Sequence, residues 1–188
     1  MTEINKLTLV NYCHPDCEPM LNIMRLPREE AFRLAAEMAA KHPETMAFYR
    51  FADFENYYPN RSAQDRFLYA RFIEKGGEPE EEHPLSFVIE GSDYLAGWFD
   101  YGTETRLALS AVDPRHISFT IGDSGAMVER DQQFDVLTLG ELKTLLEAFD
   151  GTFGEFLTST GRGYIEAQLW SDGYLSAARQ TVKRGQRS

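Results

Sequence analysis

Apolar and polar residues alternate with a period of two over much of the second half of the chain. The alternating segments are residues 85–89, 107–111, 117–121 and 164–170. Because successive side chains of a strand point to opposite faces, each segment predicts a strand with one apolar, covered face and one polar, open face, as in an antiparallel sheet. Residues 113–116, Asp-Pro-Arg-His, are expected to form the hairpin connection between two of these strands.

Two further apolar runs lie in the first half of the chain. Residues 7–12 are β-prone and stop at Cys-His-Pro-Asp-Cys, so they predict a strand that ends in a turn. Residues 46–51 predict another strand. Residues 92–99 fit either a short helix or a strand, because Gly97 is favourable in neither.

Two segments of the first half repeat their apolar residues at helical spacing. The first helix is predicted to begin at Pro27, which suits the first helical position, and to stop at Pro43. The second helix is predicted to begin at Ser62 and to stop at Gly76-Gly77.

A third helix is predicted between the last strands. It follows Thr138, which forms a capping box with Glu141, and it ends near Gly151. A single α+β domain over residues 1–178, with a mainly antiparallel sheet and about three helices packed on one face, accounts for all these elements. Residues 179–188 hold four bases and no acid, and we expect them to form a basic C-terminal tail that need not be ordered.

The charge of the chain restricts its partners. Nineteen bases against 30 acids give a formal net charge of −11, and without the four bases of the tail the domain carries about −15. Such a surface repels nucleic acids and anionic membranes, so neither is expected to bind directly. The chain has no apolar run long enough to span a membrane and begins without a basic, apolar leader, so a cytoplasmic location is expected. We therefore expect a non-catalytic interaction domain, of unknown oligomeric state, whose protein partner has a basic surface.

Residues 48–72 carry nine of the 24 aromatic residues, interleaved with arginines. Arginine and aromatic side chains form hot spots of protein interfaces, although a core strand and helix would need the same aromatic residues. The best contact candidates are Tyr57, Tyr58 and Arg61, because Tyr57-Tyr58 before Pro59 is the part that core packing explains least. Residues Glu80, Glu81 and Glu82 are expected to form an electrostatic rim around the contact.

Acidic residues are concentrated in residues 74–104, which hold nine acids and Lys75 as the single base. Clustered carboxylates on a rigid domain can imitate the phosphates of DNA, as in phage and plasmid antirestriction proteins, and can occupy a DNA-binding enzyme. A solvated loop explains the same residues. The interaction domain could therefore be an inhibitor of the DNA-mimic type.

The alternative function is that of an enzyme acting on a nucleotide or another small molecule. The polar strand face and the aromatic segment supply its candidate residues Arg50, Ser118, Thr120 and Glu166. The order Arg, Ser-x-Thr, Glu-x-Gln resembles the signatures of ADP-ribosyltransferases, although their final motif is reversed here. The resemblance implies that Arg50 grips a dinucleotide, that Ser118 and Thr120 order the site, and that Glu166 holds a ribose hydroxyl or acts as a base.

Cysteine and histidine offer one further possibility. Cys13 and Cys17 flank His14 and Asp16, and with His83 or His116 they could complete a tetrahedral zinc site. No second close pair of cysteines exists, and the remaining histidines are isolated along the chain, so the sequence predicts no metal. The chain also lacks a Walker loop, a Gly-x-Gly-x-x-Gly motif and a His-Glu-x-x-His motif, and no cofactor is expected.

Overall fold

A six-stranded antiparallel sheet forms the centre of the protein, in a computed structural model that describes residues 3–129 and 134–182. The strands are β1 Thr8–Cys13, β2 Leu85–Ile89, β3 Thr103–Ala108, β4 Ile117–Ile121, β5 Ile165–Leu169 and β6 Arg179–Val182. Their spatial order is β4-β5-β2-β1-β3-β6, and each neighbouring pair runs antiparallel. The predicted α+β class with a mainly antiparallel sheet is confirmed.

Six α-helices lie within the described residues. They are α1 Arg28–Lys41, α2 Phe54–Glu74, α3 Asp93–Trp98, α4 Ser124–Glu129, α5 Leu139–Ala148 and α6 Phe153–Thr160. Short 3₁₀-helices cover Ile4–Lys6, Ile23–Arg25, Met46–Asp53, Leu109–Ala111, Pro114–His116 and Asp172–Ala177. No helix among the described residues is both long enough and apolar enough to cross a bilayer.

The first and third predicted helices are confirmed. Helix α1 starts directly after Pro27 and ends before Pro43. Helix α5 follows Thr138, and both halves of the predicted capping box with Glu141 are formed. Both helices were predictable because their end signals lie within a few residues of the helix itself.

The prediction of a strand at residues 46–51 is wrong. This segment belongs to the 3₁₀-helix Met46–Asp53, which runs directly into α2, so that α2 begins at Phe54 and not at Ser62. The physical reason is a spacing of three among the aromatic residues: Phe48, Phe51 and Phe54 pack in sequence, each ring 5.5 Å from the next. A spacing of three places side chains in line on a 3₁₀-helix and not on a strand.

Helices cover both faces of the sheet, where the sequence predicted one covered face. On the apolar face, Leu142 and Leu146 of α5 and Phe156 of α6 pack into the main core. On the polar face, Leu68 and Phe72 of α2 pack against Trp170. The face expected to be open is therefore buried, and its polar side chains must find partners within the protein.

The expected hairpin at residues 113–116 is not formed. Strands β3 and β4 lie near opposite ends of the sheet, so the chain between them is a crossover, in which Pro114–His116 makes a single 3₁₀ turn. Strand β6 pairs with β3 and uses residues 179–182 of the segment expected to be a tail. Residues 183–188 of that segment lie outside the described residues.

Candidate functional site

Four aromatic side chains gather on and beside α3. Tyr49, Tyr94 and Tyr101 are 54%, 61% and 53% exposed. The Trp98 ring lies between the first two, with centroid distances of 6.1 Å to Tyr49 and 5.8 Å to Tyr94. The Tyr101 hydroxyl lies over Gly97, where an added Cβ would be 3.4 Å away. We call Tyr49, Tyr94, Trp98 and Tyr101 the aromatic patch.

The start of α3 is held in place by two hydrogen bonds. The Ser92 hydroxyl accepts from the backbone N–H of Leu95 and thereby caps the helix. The Ser92 backbone N–H donates to the Tyr12 hydroxyl at 2.7 Å, which ties the helix to strand β1. Cap and tether fix the direction in which α3 presents Tyr94 and Trp98.

A strained turn follows α3. Asp100 and Tyr101 both have φ of 51°, in the left-handed region that non-glycine residues avoid. The Asp100 carboxylate accepts a hydrogen bond from the buried Thr45 hydroxyl at 2.8 Å and lies 3.2 Å from Nε2 of buried His14. These contacts hold the turn in a conformation that costs about 1–3 kcal/mol per residue, a kind of strain found mainly at functional sites.

The surroundings of the aromatic patch are acidic. Residues 90–104 contain four acids and no base. Asp93 on α3 and Asp100 in the turn are both exposed. One cation lies at the edge, since the Arg50 guanidinium sits 5.3 Å from the centroid of the Tyr49 ring.

A cavity of about 440 Å³ reaches the end of α3. Phe99, the residue after α3, forms part of its wall, and so do His14, Cys17, Met38, Tyr57 and Arg61. A second cavity of about 290 Å³ is lined by Arg50, Gln64 and again by Tyr57 and Arg61. Two of the three predicted contact residues, Tyr57 and Arg61, therefore line both cavities.

Arg61 is tied into a buried ionic group. Its Nε donates to Oδ1 of the fully buried Asp65 at 2.9 Å, and the other carboxylate oxygen lies 2.7 Å from His83 Nδ1. Burial opposes the charge of Arg61, but the facing Asp65 outweighs it and the pKa of Arg61 is raised. Arg61 thus keeps its charge, and it uses that charge to balance Asp65.

The polar face of the sheet forms a closed hydrogen-bond network under α2. Ser118 and Thr120 are fully buried. The Ser118 hydroxyl donates to Gln168 Oε1 and accepts from the Trp170 indole N–H, both at 2.9 Å, and Gln168 Nε2 donates to the Thr120 hydroxyl at 3.1 Å. Neither hydroxyl is accessible to a ligand, so Ser118 and Thr120 do not form the open polar face that the enzyme alternative requires.

Glu166 accepts hydrogen bonds at the edge of this network. The backbone N–H and the hydroxyl of Ser124 donate to its Oε2 at 3.0 and 2.6 Å. Burial raises the pKa of Glu166, and the Ser124 contacts and Arg61 only partly offset it. Arg50 is the fourth candidate residue of the enzyme alternative. It lies beside Tyr49 and lines the smaller cavity.

The remaining predicted contact residues do not form one surface. Tyr58 packs against Phe32 and Phe54 at ring distances of 5.5 and 5.7 Å. The backbone N–H groups of Glu80 and Glu81 donate to the carbonyl of Trp170, which contacts Tyr69 in the other half of α2. With a rise of 1.5 Å per residue, Tyr58 and Tyr69 are about 16 Å apart along the helix. Exposed Glu82 lies in the same loop as Glu80.

Of the two predicted cysteines, Cys13 is buried and Cys17 is half-buried. Burial, followed by the charges of Cys17 and Glu18, raises the pKa of Cys13 to about 12. The Cys17 thiol points to the Met38 sulfur at 3.7 Å. Neither His83 nor His116 joins them, since His83 contacts Asp65 and His116 contacts the Tyr174 hydroxyl at 2.7 Å.

The turn between Cys13 and Cys17 lies close to a different histidine, His42. Ligand atoms of His14, Asp16 and His42 all lie within 4.8 Å of one another. Nothing in the sequence indicated that His42, at the end of α1, would join this turn. The patch residues on and after α3 were also missed, although aromatic residues inside an acidic segment were a visible signal.

No protein-family model matches this chain, and no match to it was found among curated proteins or solved structures.

Proposed function

We propose that this protein is a non-catalytic interaction domain whose aromatic patch binds a partner protein with a basic surface. The observation that carries the proposal is the exposure of three tyrosines, each more than half accessible, two of them in ring contact with Trp98 and the third over Gly97. Tyrosine and tryptophan dominate the energetics of protein interfaces because they bury much apolar area at a small entropic cost. Apolar surface that is grouped on one side of a domain is typical of an interaction site.

The acidic residues around the aromatic patch favour a partner with a basic surface. Three of the four patch residues, Tyr94, Trp98 and Tyr101, lie in residues 90–104, which contain four acids and no base, on a chain of net charge −11. Arginine or lysine side chains of a partner can stack on the tyrosine and tryptophan rings while the surrounding carboxylates attract them. A basic, arginine-rich protein surface fits this combination better than a purely apolar one.

The rigidity of the patch favours tight binding. Ser92 caps α3, and Asp100 holds the turn through Thr45 and His14. A surface that is ordered before binding loses less conformational entropy on complex formation.

The test is affinity purification from the native host, followed by calorimetry with the recovered partner. Tyr94→Ala and Trp98→Ala should each weaken binding at least tenfold, as hot-spot truncations do. Leu145→Ala, at an exposed residue of α5, serves as the matched control and should leave binding unchanged. Equal affinities of all variants would refute docking on the patch.

Ionic strength and competition with DNA refine the same test. Raising the salt from about 0.05 to about 0.5 M should weaken a basic partner's binding. If the partner is a DNA-binding protein and duplex DNA competes for it, the inhibitor is of the DNA-mimic type. If DNA does not compete, an ordinary docking domain is supported.

A second candidate function is the binding of a small molecule in the larger cavity. Its volume of about 440 Å³ falls in the range of ligand sites, and its walls combine apolar groups with Tyr57, Arg61 and Ser86. Dinucleotides and small carboxylates should be screened for a rise in Tm. A true cavity ligand should lose its effect in Leu34→Trp, which fills the cavity, and keep it in Leu145→Trp.

A further inference from the structure

We propose that His14, Asp16 and His42 bind a divalent transition-metal ion, zinc being the best match, at the wall of the larger cavity. Their ligand atoms lie within 4.8 Å of one another, in the one such group that the described residues contain. Two imidazole nitrogens and a carboxylate oxygen form a donor set typical of zinc sites that have three protein ligands. This inference does not depend on the proposed docking function.

The three ligands come from two parts of the fold, the turn after β1 and the end of α1. His14 follows strand β1, Asp16 lies in the next turn, and His42 is the residue after α1. His42 Nε2 is 2.9 Å from Asp16 Oδ2, and the two imidazole centroids are 4.4 Å apart. Ligand atoms on one tetrahedral zinc lie about 3.3 Å apart, so side-chain movements of about 1.5 Å or less complete the site.

The ring of His14 is oriented as in known metal sites. Its Nδ1 accepts the Asp16 backbone N–H at 3.1 Å, and this leaves the proton on Nε2, which donates to Asp100. A histidine that binds a metal commonly donates its other ring N–H to a carboxylate. Nδ1 is therefore the ligand atom, and binding replaces its contact with the Asp16 amide.

The position of Lys41 shows where this cluster attracts a cation. Its exposed ammonium lies 2.8 Å from the same Asp16 Oδ2 that faces His42. A divalent ion brings twice this charge and coordinates both imidazoles as well, so it displaces the flexible lysine. Lysine and metal then compete for one carboxylate.

The position of the site predicts an open coordination sphere. His14 and Asp16 both line the larger cavity. Three protein ligands leave a fourth position, and the cavity provides room there for water or a small molecule.

The test is titration of tag-free protein with zinc chloride by calorimetry, with cobalt(II) absorption as the readout of geometry. We expect about one ion per chain and tetrahedral cobalt bands. His42→Gln and Asp16→Asn should each weaken binding more than tenfold, and His116→Gln, the matched control outside the group, should not. Lys41→Ala should tighten binding several-fold, a result that a purely structural cluster would not produce.

The outcomes that overturn the proposal are equally specific. They are the absence of saturable uptake near one ion per chain, or titrations of His42→Gln and Asp16→Asn that superimpose on wild type. Both substituted side chains are at least partly exposed, and circular dichroism will check that the variants fold. If one variant is unfolded, the other decides.

Discussion

The Asp100 carboxylate lies 3.2 Å from Nε2 of His14, and this contact joins the turn after α3 to the end of strand β1. The same carboxylate oxygen accepts from the Thr45 hydroxyl at 2.8 Å. One residue thus supports the aromatic patch on its outer side and orients the proposed metal ligand on its inner side.

Two substitutions of Asp100 should distinguish the stability contributed by its hydrogen bonds from the stability lost to its backbone strain. Asp100→Ala loses both contacts and keeps a left-handed φ of 51° with a less tolerant residue, so we expect a loss of about 2–3 kcal/mol. Asp100→Gly loses the same contacts but adopts this φ without strain, and should be about 1 kcal/mol more stable than the alanine variant. Urea denaturation measures both. Identical midpoints for the two variants would show that the strain is negligible.

Ser118 should be essential for burial of the polar strand face. In Ser118→Ala, the indole N–H of Trp170 and the amide oxygen of Gln168 lose their partner, which should cost about 2 kcal/mol or more. Ser110→Ala removes an exposed hydroxyl and should change stability by less than about 0.5 kcal/mol. Urea denaturation of both variants checks the difference, and equal losses would contradict the closed network.

Glu166 should make the protein less stable as the pH rises. Burial raises the pKa of Glu166 in the folded protein above its ordinary value of 4.5, so the folded state holds this proton more firmly than the unfolded state. The resulting stabilisation is complete below pH 4.5 and is lost as the pH rises through the higher folded-state pKa. Glu166→Gln cannot ionise, and Gln can still accept from Ser124.

The measurement is the free energy of unfolding of both proteins from about pH 4 to about pH 8. The stability of Glu166→Gln relative to wild type should increase over this range. Glu55→Gln, at an exposed position, is the control and should follow wild type throughout. A constant difference between Glu166→Gln and wild type would mean that Glu166 has no raised pKa.

Gly102 should not tolerate a side chain. A Cβ at Gly102 would lie 2.2 Å from the carbonyl oxygen of Cys13, a backbone atom that cannot move without shifting the residue before His14. Gly102→Ala should therefore cost about 3 kcal/mol or more, like other severe overpacking. Gly154→Ala in α6 meets nothing within 4 Å and should stabilise by up to about 1 kcal/mol. Thermal unfolding compares them, and a Gly102→Ala midpoint at the wild-type value would refute the close contact.

Parts of the proposed sites could be read from the sequence and others could not. Cys13, His14 and Asp16 are visible as one short motif, but the motif did not reveal His42 as its partner. Tyr57 and Arg61 were recognised as exceptional, but as surface contacts, whereas both line cavities. In each case the sequence showed that the residue type was unusual, but it did not show how accessible the side chain is.

The sequence by itself determined the α+β class, the alternating strands such as Ile117–Ile121, and the ends of α1 and α5. These depend on side-chain periodicity and on caps that act over a few residues. Only the tertiary structure decided that α2 covers the polar face and that Asp100 meets His14 across 86 residues. Polar side chains such as Ser118 and Gln168 are satisfied either by water or by one another, and the alternation pattern is the same in both cases.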